Sequence, residues 1–194
     1  NAIALGQSAG RNYQEKNAIA IGQAAGFNNQ NEYAIAIGQG AGQNNQNDYG
    51  IAIGRYAGGG NMSYSAIAIG RNAGNQDQNQ NAIAIGEDAG RNNQGANSIA
   101  IGERAGFDQS ANSIILNAQS NVSLNSDTSG LFIAPIRNIN SSTKPLVYDI
   151  ISKEILYTTY LELSNLLVDG DVSFTSSTSH FFVAGDSSFN QSVT

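Results

Sequence analysis

Asn81-Ala82-Ile83-Ala84-Ile85-Gly86-Glu87-Asp88-Ala89-Gly90-Arg91-Asn92-Asn93-Gln94-Gly95-Ala96 is one copy of a motif that the chain writes seven times in its first 106 residues. The first isoleucine of each copy falls at Ile3, Ile19, Ile35, Ile51, Ile67, Ile83 and Ile99, sixteen residues apart without a slip. An eighth, degenerate copy places Ile114 fifteen residues further on and puts Asn117 where the others have glycine. A fixed short period marks a repeat architecture, in which each copy is one structural unit stacked on the next.

Inside the unit, A-I-A-I alternates with period two, the pattern of a strand with two distinct faces. One strand of four or five residues in every sixteen leaves no room for a crossover helix. The predicted fold is therefore all-β, a parallel β-solenoid with one copy per turn. Neighbouring turns about 4.8 Å apart make eight of them a rod of roughly 35–40 Å. The isoleucines are expected to form the core. One column is Ile3, Ile19, Ile35, Ile51, Ile67, Ile83 and Ile99; the second is Ile21, Ile37, Ile53, Ile69, Ile85 and Ile101, with Leu5 in the first copy. Alanines such as Ala4, Ala20, Ala36 and Ala52 point the other way. Two isoleucine columns make a thin core, so the alanine face is expected to be buried against another copy of the chain, where small side chains let backbones approach closely.

Two glycine columns mark where each unit turns. Gly6, Gly22, Gly38, Gly54, Gly70, Gly86 and Gly102 form the first; Gly10, Gly26, Gly42, Gly58, Gly74, Gly90 and Gly106 form the second. Asn12, Asn28, Asn44 and Asn92 share a further column, as do Gln14, Gln30, Gln46, Gln78 and Gln94. Like amides stacked rung over rung hydrogen-bond along the axis; the alternative is a solvated polar loop. The variable positions Gln7, Gln23, Gln39, Arg55, Arg71, Glu87 and Glu103 are expected to face solvent. Arg71 above Glu87 is a rung-to-rung pair in this scheme, while Arg55 above Arg71 repels.

The chain has 194 residues, a net charge of −6 and 12% charged residues, with a pI near 4.5. An acidic, charge-poor surface without a basic run argues against a nucleic-acid partner. No apolar stretch reaches the length of a membrane span, and the residues from Asn1 onward do not read as a signal peptide. The chain opens at Asn1 in mid-repeat, without an initiator methionine, and is expected to be a segment of a longer protein. There is no cysteine, so neither a disulfide framework nor a thiolate site. Four N-x-S sequons, at Asn61, Asn121, Asn140 and Asn190, are what chance gives in so Asn- and Ser-rich a chain.

The organisation read from the period is a β-roll over 1–118, a β-rich neck or hairpin connector over 119–168, and the start of a shaft over 169–194. In the connector, Leu146–Ile150 and Ile155–Thr159 flank Ser152-Lys153-Glu154 and predict a hairpin. Tyr160–Val168 is apolar and reads as a strand or a short helical turn. Gly170-Asp171-Val172-Ser173-Phe174 recurs as Gly185-Asp186-Ser187-Ser188-Phe189, fifteen residues on, and suits a β-structured shaft that continues past Thr194.

The inventory for chemistry is poor. His180 is the one histidine, in a Ser/Thr run, which excludes the usual zinc sites and leaves a histidine-dependent triad resting on a single residue. Gly38-Gln39-Gly40-Ala41-Gly42 lacks the following lysine and the βαβ context of a phosphate loop. Glu32 with Asp48, or Glu87 with Asp88, could be paired as in glycosidases, but both pairs occupy variable, solvent-facing columns. No aspartate column of the kind that binds calcium exists. No catalytic residue, metal site or cofactor is predicted, and the chain is not expected to be an enzyme. Tyr33, Tyr49 and Tyr64 lie at or beside one column, and Phe27 and Phe107 share another; they suit either a glycan or protein receptor or packing against an adjacent chain.

The A-I-A-I-G-x-x-A-G units, with N-S-I-A-I-G at Asn97–Gly102, resemble the head repeats of YadA-like trimeric autotransporter adhesins over about 116 residues. The resemblance implies a left-handed parallel β-roll assembled as a homotrimer. The period of sixteen is longer than that family's repeat, and no adhesin neck motif follows. L-V-Y-D-I-I-S-K-E-I-L-Y and the G-D-x-S-F units are instead similar to segments of fibre proteins of tailed phages and large DNA viruses. Together the two resemblances imply a trimeric fibre segment on a virion surface or otherwise extracellular, with self and a host cell-surface glycan or protein as partners and no membrane insertion. A bacterial adhesin head is the alternative with the same physics. From other classes, an ice-binding solenoid calls for a threonine ladder, yet no threonine precedes Thr128, and a polysaccharide depolymerase calls for a carboxylate cluster in a groove.

Overall fold

A computed structural model of the chain describes residues 1–136 and 146–157. The strands in chain order are β1 Ile3–Leu5, β2 Asn12–Gln14, β3 Ile19–Ile21, β4 Asn28–Gln30, β5 Ile35–Ile37, β6 Ile51–Ile53, β7 Ile67–Ile69, β8 Ile83–Ile85 and β9 Ile99–Ile101. They continue with β10 Ala105–Gln109, β11 Ser113–Asn117, β12 Leu124–Ser126, β13 Gly130–Ala134, β14 Leu146–Tyr148 and β15 Ile155–Tyr157. The described residues contain no helix. The chain divides into two compact units, Asn1–Asn138 and Ile139–Thr194.

The first unit is a parallel β-solenoid of about eight turns. Its main wall is a nine-stranded sheet in the order β1-β3-β5-β6-β7-β8-β9-β11-β13. Equivalent residues of successive copies pair directly, as Ile51 with Ile67 and Ile67 with Ile83. The shorter copy and the longer spacing after it are absorbed in the turns, so Ile114 pairs with both Ile99 and Leu131. The sheet thus runs through Ala134, beyond the boundary at 118 drawn from the period. A second wall starts as β2 paired with β4, continues through single bridges Gln30–Gln46–Met62–Gln78–Gln94–Gln109, and ends as β10 paired with β12.

The core is the reverse of the sequence expectation. Ala20, Ala36, Ala52, Ala68, Ala84 and Ala100, the middle residues of the strands, are fully buried inside the coil. Ala25, Ala41, Ala57, Ala73, Ala89 and Ala105 line a second side, and Ala18, Ala34, Ala66, Ala82 and Ser98 a third. The isoleucines assigned to the core, Ile3, Ile19, Ile35, Ile51, Ile67, Ile83, Ile99, Ile21, Ile37, Ile53, Ile69, Ile85 and Ile101, all stand on the outer face, half-buried or exposed. The physical reason is width: in a sixteen-residue turn the interior is filled on one side by the long side chains of the glutamine column, with Met62, and the three facing columns keep room for little beyond a Cβ through the regular copies.

The fourth side of the interior is polar. Gln30, Gln46, Gln78 and Gln94 are fully buried, and their amides form the axial ladder expected for that column. Gln30 Nε2 donates to the Ile19 carbonyl at 2.8 Å and to Gln46 Oε1 at 3.2 Å; Gln78 Nε2 does the same with the Ile67 carbonyl at 2.7 Å and Gln94 Oε1 at 3.1 Å. Each amide thus ties its own wall to the sheet and its own turn to the next. Burial of an amide is tolerable because its hydrogen bonds are made. An outer asparagine ladder runs alongside, with Asn12 Nδ2 donating to Asn28 Oδ1 at 2.8 Å and Asn28 Nδ2 to Asn44 Oδ1 at 2.9 Å.

The two glycine columns turn the chain for different reasons. Gly70, at φ +130°, would place a Cβ 2.5 Å from the Gly86 carbonyl oxygen of the next turn. Gly74, at φ +52°, would place one 2.5 Å from Gln78 Oε1, inside the amide ladder. Close backbone stacking fixes the first column and the buried glutamine the second.

Of the second unit, the described residues form the expected hairpin. β14 and β15 pair antiparallel, Val147 opposite Leu156, around a turn in which the Ile151 N–H donates to Asp149 Oδ1 at 2.8 Å. Tyr160–Val168, the G-D-x-S-F units and His180 lie outside the described residues.

Candidate functional site: the outer faces of the coil

Because alanine fills the inside, the large apolar side chains of every strand are left outside. The nine-stranded sheet presents two of them per strand, from Ile3 and Leu5 through Ile67 and Ile69 to Ile114 and Leu116, then Leu131 and Ile133. Stacked in register at about 4.8 Å per rung, they form an aliphatic ribbon about 38 Å long. Much of it is open: Ile101 is 40% exposed and Leu131 48%. Near β13 the ribbon borders an apolar recess of ≈ 360 Å³ lined by Ile101, Leu116, Ile133 and Pro135, among others. Continuous apolar surface of this extent is rare on a soluble single chain and makes the ribbon the first candidate for an interaction face.

A second stripe lies at the corner that precedes each isoleucine strand. Tyr33 and Tyr49 stack in parallel with ring centroids 5.3 Å apart, and Tyr64 meets Tyr49 edge-on at 5.4 Å. All three are 46–48% exposed. Tyr33 and Tyr49 hold φ of 60° and 59°, the left-handed conformation that Asn17, Asn81, Asn97 and Asn112 take at the same corner. That conformation costs a bulky L-residue about 1–2 kcal/mol, against about 0.5–1.5 kcal/mol for an aromatic pair. Neither backbone nor burial therefore accounts for tyrosine there. Beside the rings, Glu32 and Asp48 occupy one column a single turn apart. The Tyr49 hydroxyl is held above its ordinary pKa, first by the charge of Tyr64, then by partial burial, Tyr33, Asp48 and Glu32.

The remaining predicted positions serve the coil itself. Gln7, Gln23, Gln39, Arg55, Arg71 and Glu87 are exposed, and Arg71 pairs with Glu87 across one rung as expected. Asp88 is buried, accepts from Asn72 Nδ2 at 3.0 Å and lies 3.5 Å from Arg91, so neither acid of that pair is free. In the Gly38–Gly42 run, Gly40 stands at φ +64° beneath the Tyr56 ring, which occupies the space of a Cβ. Phe27 and Phe107 each lie under an arginine, Arg11 and Arg91, both 5.5 Å from the ring centroid. Among the described residues no three His, Cys, Asp or Glu side chains gather, and no helix is long and apolar enough to cross a membrane.

The period does not announce the ninth rung, Leu131 and Ile133. Its signal is the alternation of Leu131-Phe132-Ile133 against Ile114-Ile115-Leu116, since Phe132 pairs with the buried Ile115. No protein-family model, curated protein or solved structure matches the chain.

Proposed function

We propose that the chain is a segment of a homotrimeric fibre on a virion surface, in which three coils pack their aliphatic ribbons together around a common axis. The observation that carries this reading is the outward ribbon of isoleucine and leucine along the whole nine-stranded sheet. Burying a Val, Leu or Ile side chain fully stabilises by about 1.5–3 kcal/mol relative to exposure, and the ribbon is left half-covered at every rung. With alanine inside the coil and isoleucine outside, the partner chain packs against isoleucine rather than against alanine as the sequence suggests, and the thin, alanine-filled interior adds to the need for a partner. The hairpin of β14 and β15, in the segment similar to viral fibre proteins, favours a virus over a bacterial adhesin as owner. The function is mechanical display and attachment to a host surface through repeated weak contacts, whose combined avidity exceeds any single one, without chemical turnover.

Light scattering on the purified chain tests the assembly. The expected mass is three times the 20.3 kDa of one chain. A folded, monodisperse single chain at micromolar concentration overturns the reading.

A further inference from the structure

Elsewhere on the coil, three half-buried rings meet a cation supplied by the chain, whereas the exposed Tyr13 meets none. Arg11 lies over Phe27, Arg55 over Tyr56 at 5.1 Å, and Arg91 over Phe107. Among the described residues, Tyr33, Tyr49 and Tyr64 have no such partner. Ion pairs there involve Arg71 with Glu87 and Arg91 with Asp88, so Glu32 and Asp48, stacked as like charges one turn apart, stand without a cation as well. Lys16 is one turn before Glu32 but makes no ion pair with it.

We infer that Tyr33, Tyr49 and Tyr64 with Glu32 and Asp48 form a binding stripe for the cationic side chains of a basic protein segment. The geometry favours this occupant over a glycan. Tyr33 and Tyr49 turn ring faces toward each other, which removes the flat surfaces a sugar ring would stack on. What remains outward is phenolic oxygen, carboxylate and the face of Tyr33 on the Asn17 side, where the preceding turn offers no ring. A guanidinium suits that set: it is planar, stacks on an aromatic face and bonds a carboxylate through two N–H groups at once. An anionic ligand is opposed by both acids. The rungs repeat at about 4.8 Å, so successive basic residues of an extended segment find equivalent positions. The inference narrows the receptor class of the fibre reading and rests on it for its biological setting.

Calorimetric titration of the assembled chain with hexa-arginine tests the stripe. Tyr33→Asn with Tyr49→Asn is the decisive variant, because it leaves every charge in place and installs the residue that Asn17 and Asn81 already carry at this corner. The expected result is an affinity loss of about tenfold, with melting temperature and light-scattering mass unchanged. Glu32→Gln with Asp48→Asn is expected to weaken binding and flatten its salt dependence. Unchanged hexa-arginine binding in the tyrosine variant overturns the inference, leaving only the attraction of an acidic protein for a cation. Binding of neutral cellohexaose that the tyrosine variant abolishes overturns it in favour of a glycan. A fall in mass or melting temperature in that variant overturns it in favour of a subunit contact. A wild-type mass of one chain defeats the fibre reading separately, while the same titration still reports on the stripe.

Discussion

At the scale of single residues, the glutamine ladder shows what one substitution does to a repeat. Met62 stands in the glutamine column, fully buried, and offers Gln46 Nε2 only its sulfur at 3.9 Å. A thioether accepts weakly and donates nothing, so Gln78 Oε1 on the next turn is buried without a partner. Met62→Gln is expected to complete the ladder. Leaving a buried acceptor unmade costs about 1–3 kcal/mol, so after the desolvation of the new amide a gain of about 1 kcal/mol is expected, read as a melting temperature about 2–4 °C higher. No rise would show that the methionine packing is worth as much as the missing hydrogen bonds. Gly70→Ala goes the other way: its Cβ meets the Gly86 carbonyl at φ +130°, and a loss of more than about 1–3 kcal/mol is expected from backbone strain alone. Denaturant unfolding measures both.

At the scale of elements, period and turn positions are plain in the residues, and so are the amide ladders, the Arg71–Glu87 rung and the hairpin turn at Ser152-Lys153-Glu154. Which face of A-I-A-I lies inside is not. Alternation separates two faces without ranking them, and the usual ranking by size fails when the enclosure is narrower than an isoleucine. The informative signal is that three separate columns, those of Ala18, Ala20 and Ala25, hold only small residues through all seven regular copies. The Ala20 column takes a large side chain first at Ile115, where the period itself breaks. Three variants test the assignment. Ala68→Asp puts an unpaired charge inside the coil at a cost of several kcal/mol and is expected to abolish the β signal in circular dichroism. Ile67→Asp is expected to leave the coil folded but reduce the mass to one chain, and Arg71→Asp to cost no more than about 1 kcal/mol. An unfolded Ile67→Asp beside a folded Ala68→Asp would restore isoleucine to the core. In the hairpin, the Asp149 pKa is lowered chiefly by the Ile151 N–H and then by the Ser152 hydroxyl. A depressed carboxylate stabilises above its unfolded value and loses that contribution as pH falls through its folded one. The Ile151 amide resonance is expected to titrate with a midpoint below about 3.9, and a midpoint at or above that value would remove Asp149 from the turn.

At the scale of the whole coil, stability is carried from neighbour to neighbour, as in other stacked repeats. The glutamine bonds run along the axis from turn to turn, with the interruption at Met62. Tension applied along the axis of the coil passes through those bonds in series, so every rung bears the same force. Strength under such a load is decided by the least-bonded rung, and adding further turns lengthens the rod without toughening it. The break in the amide ladder at Met62 marks where a stretched coil yields first.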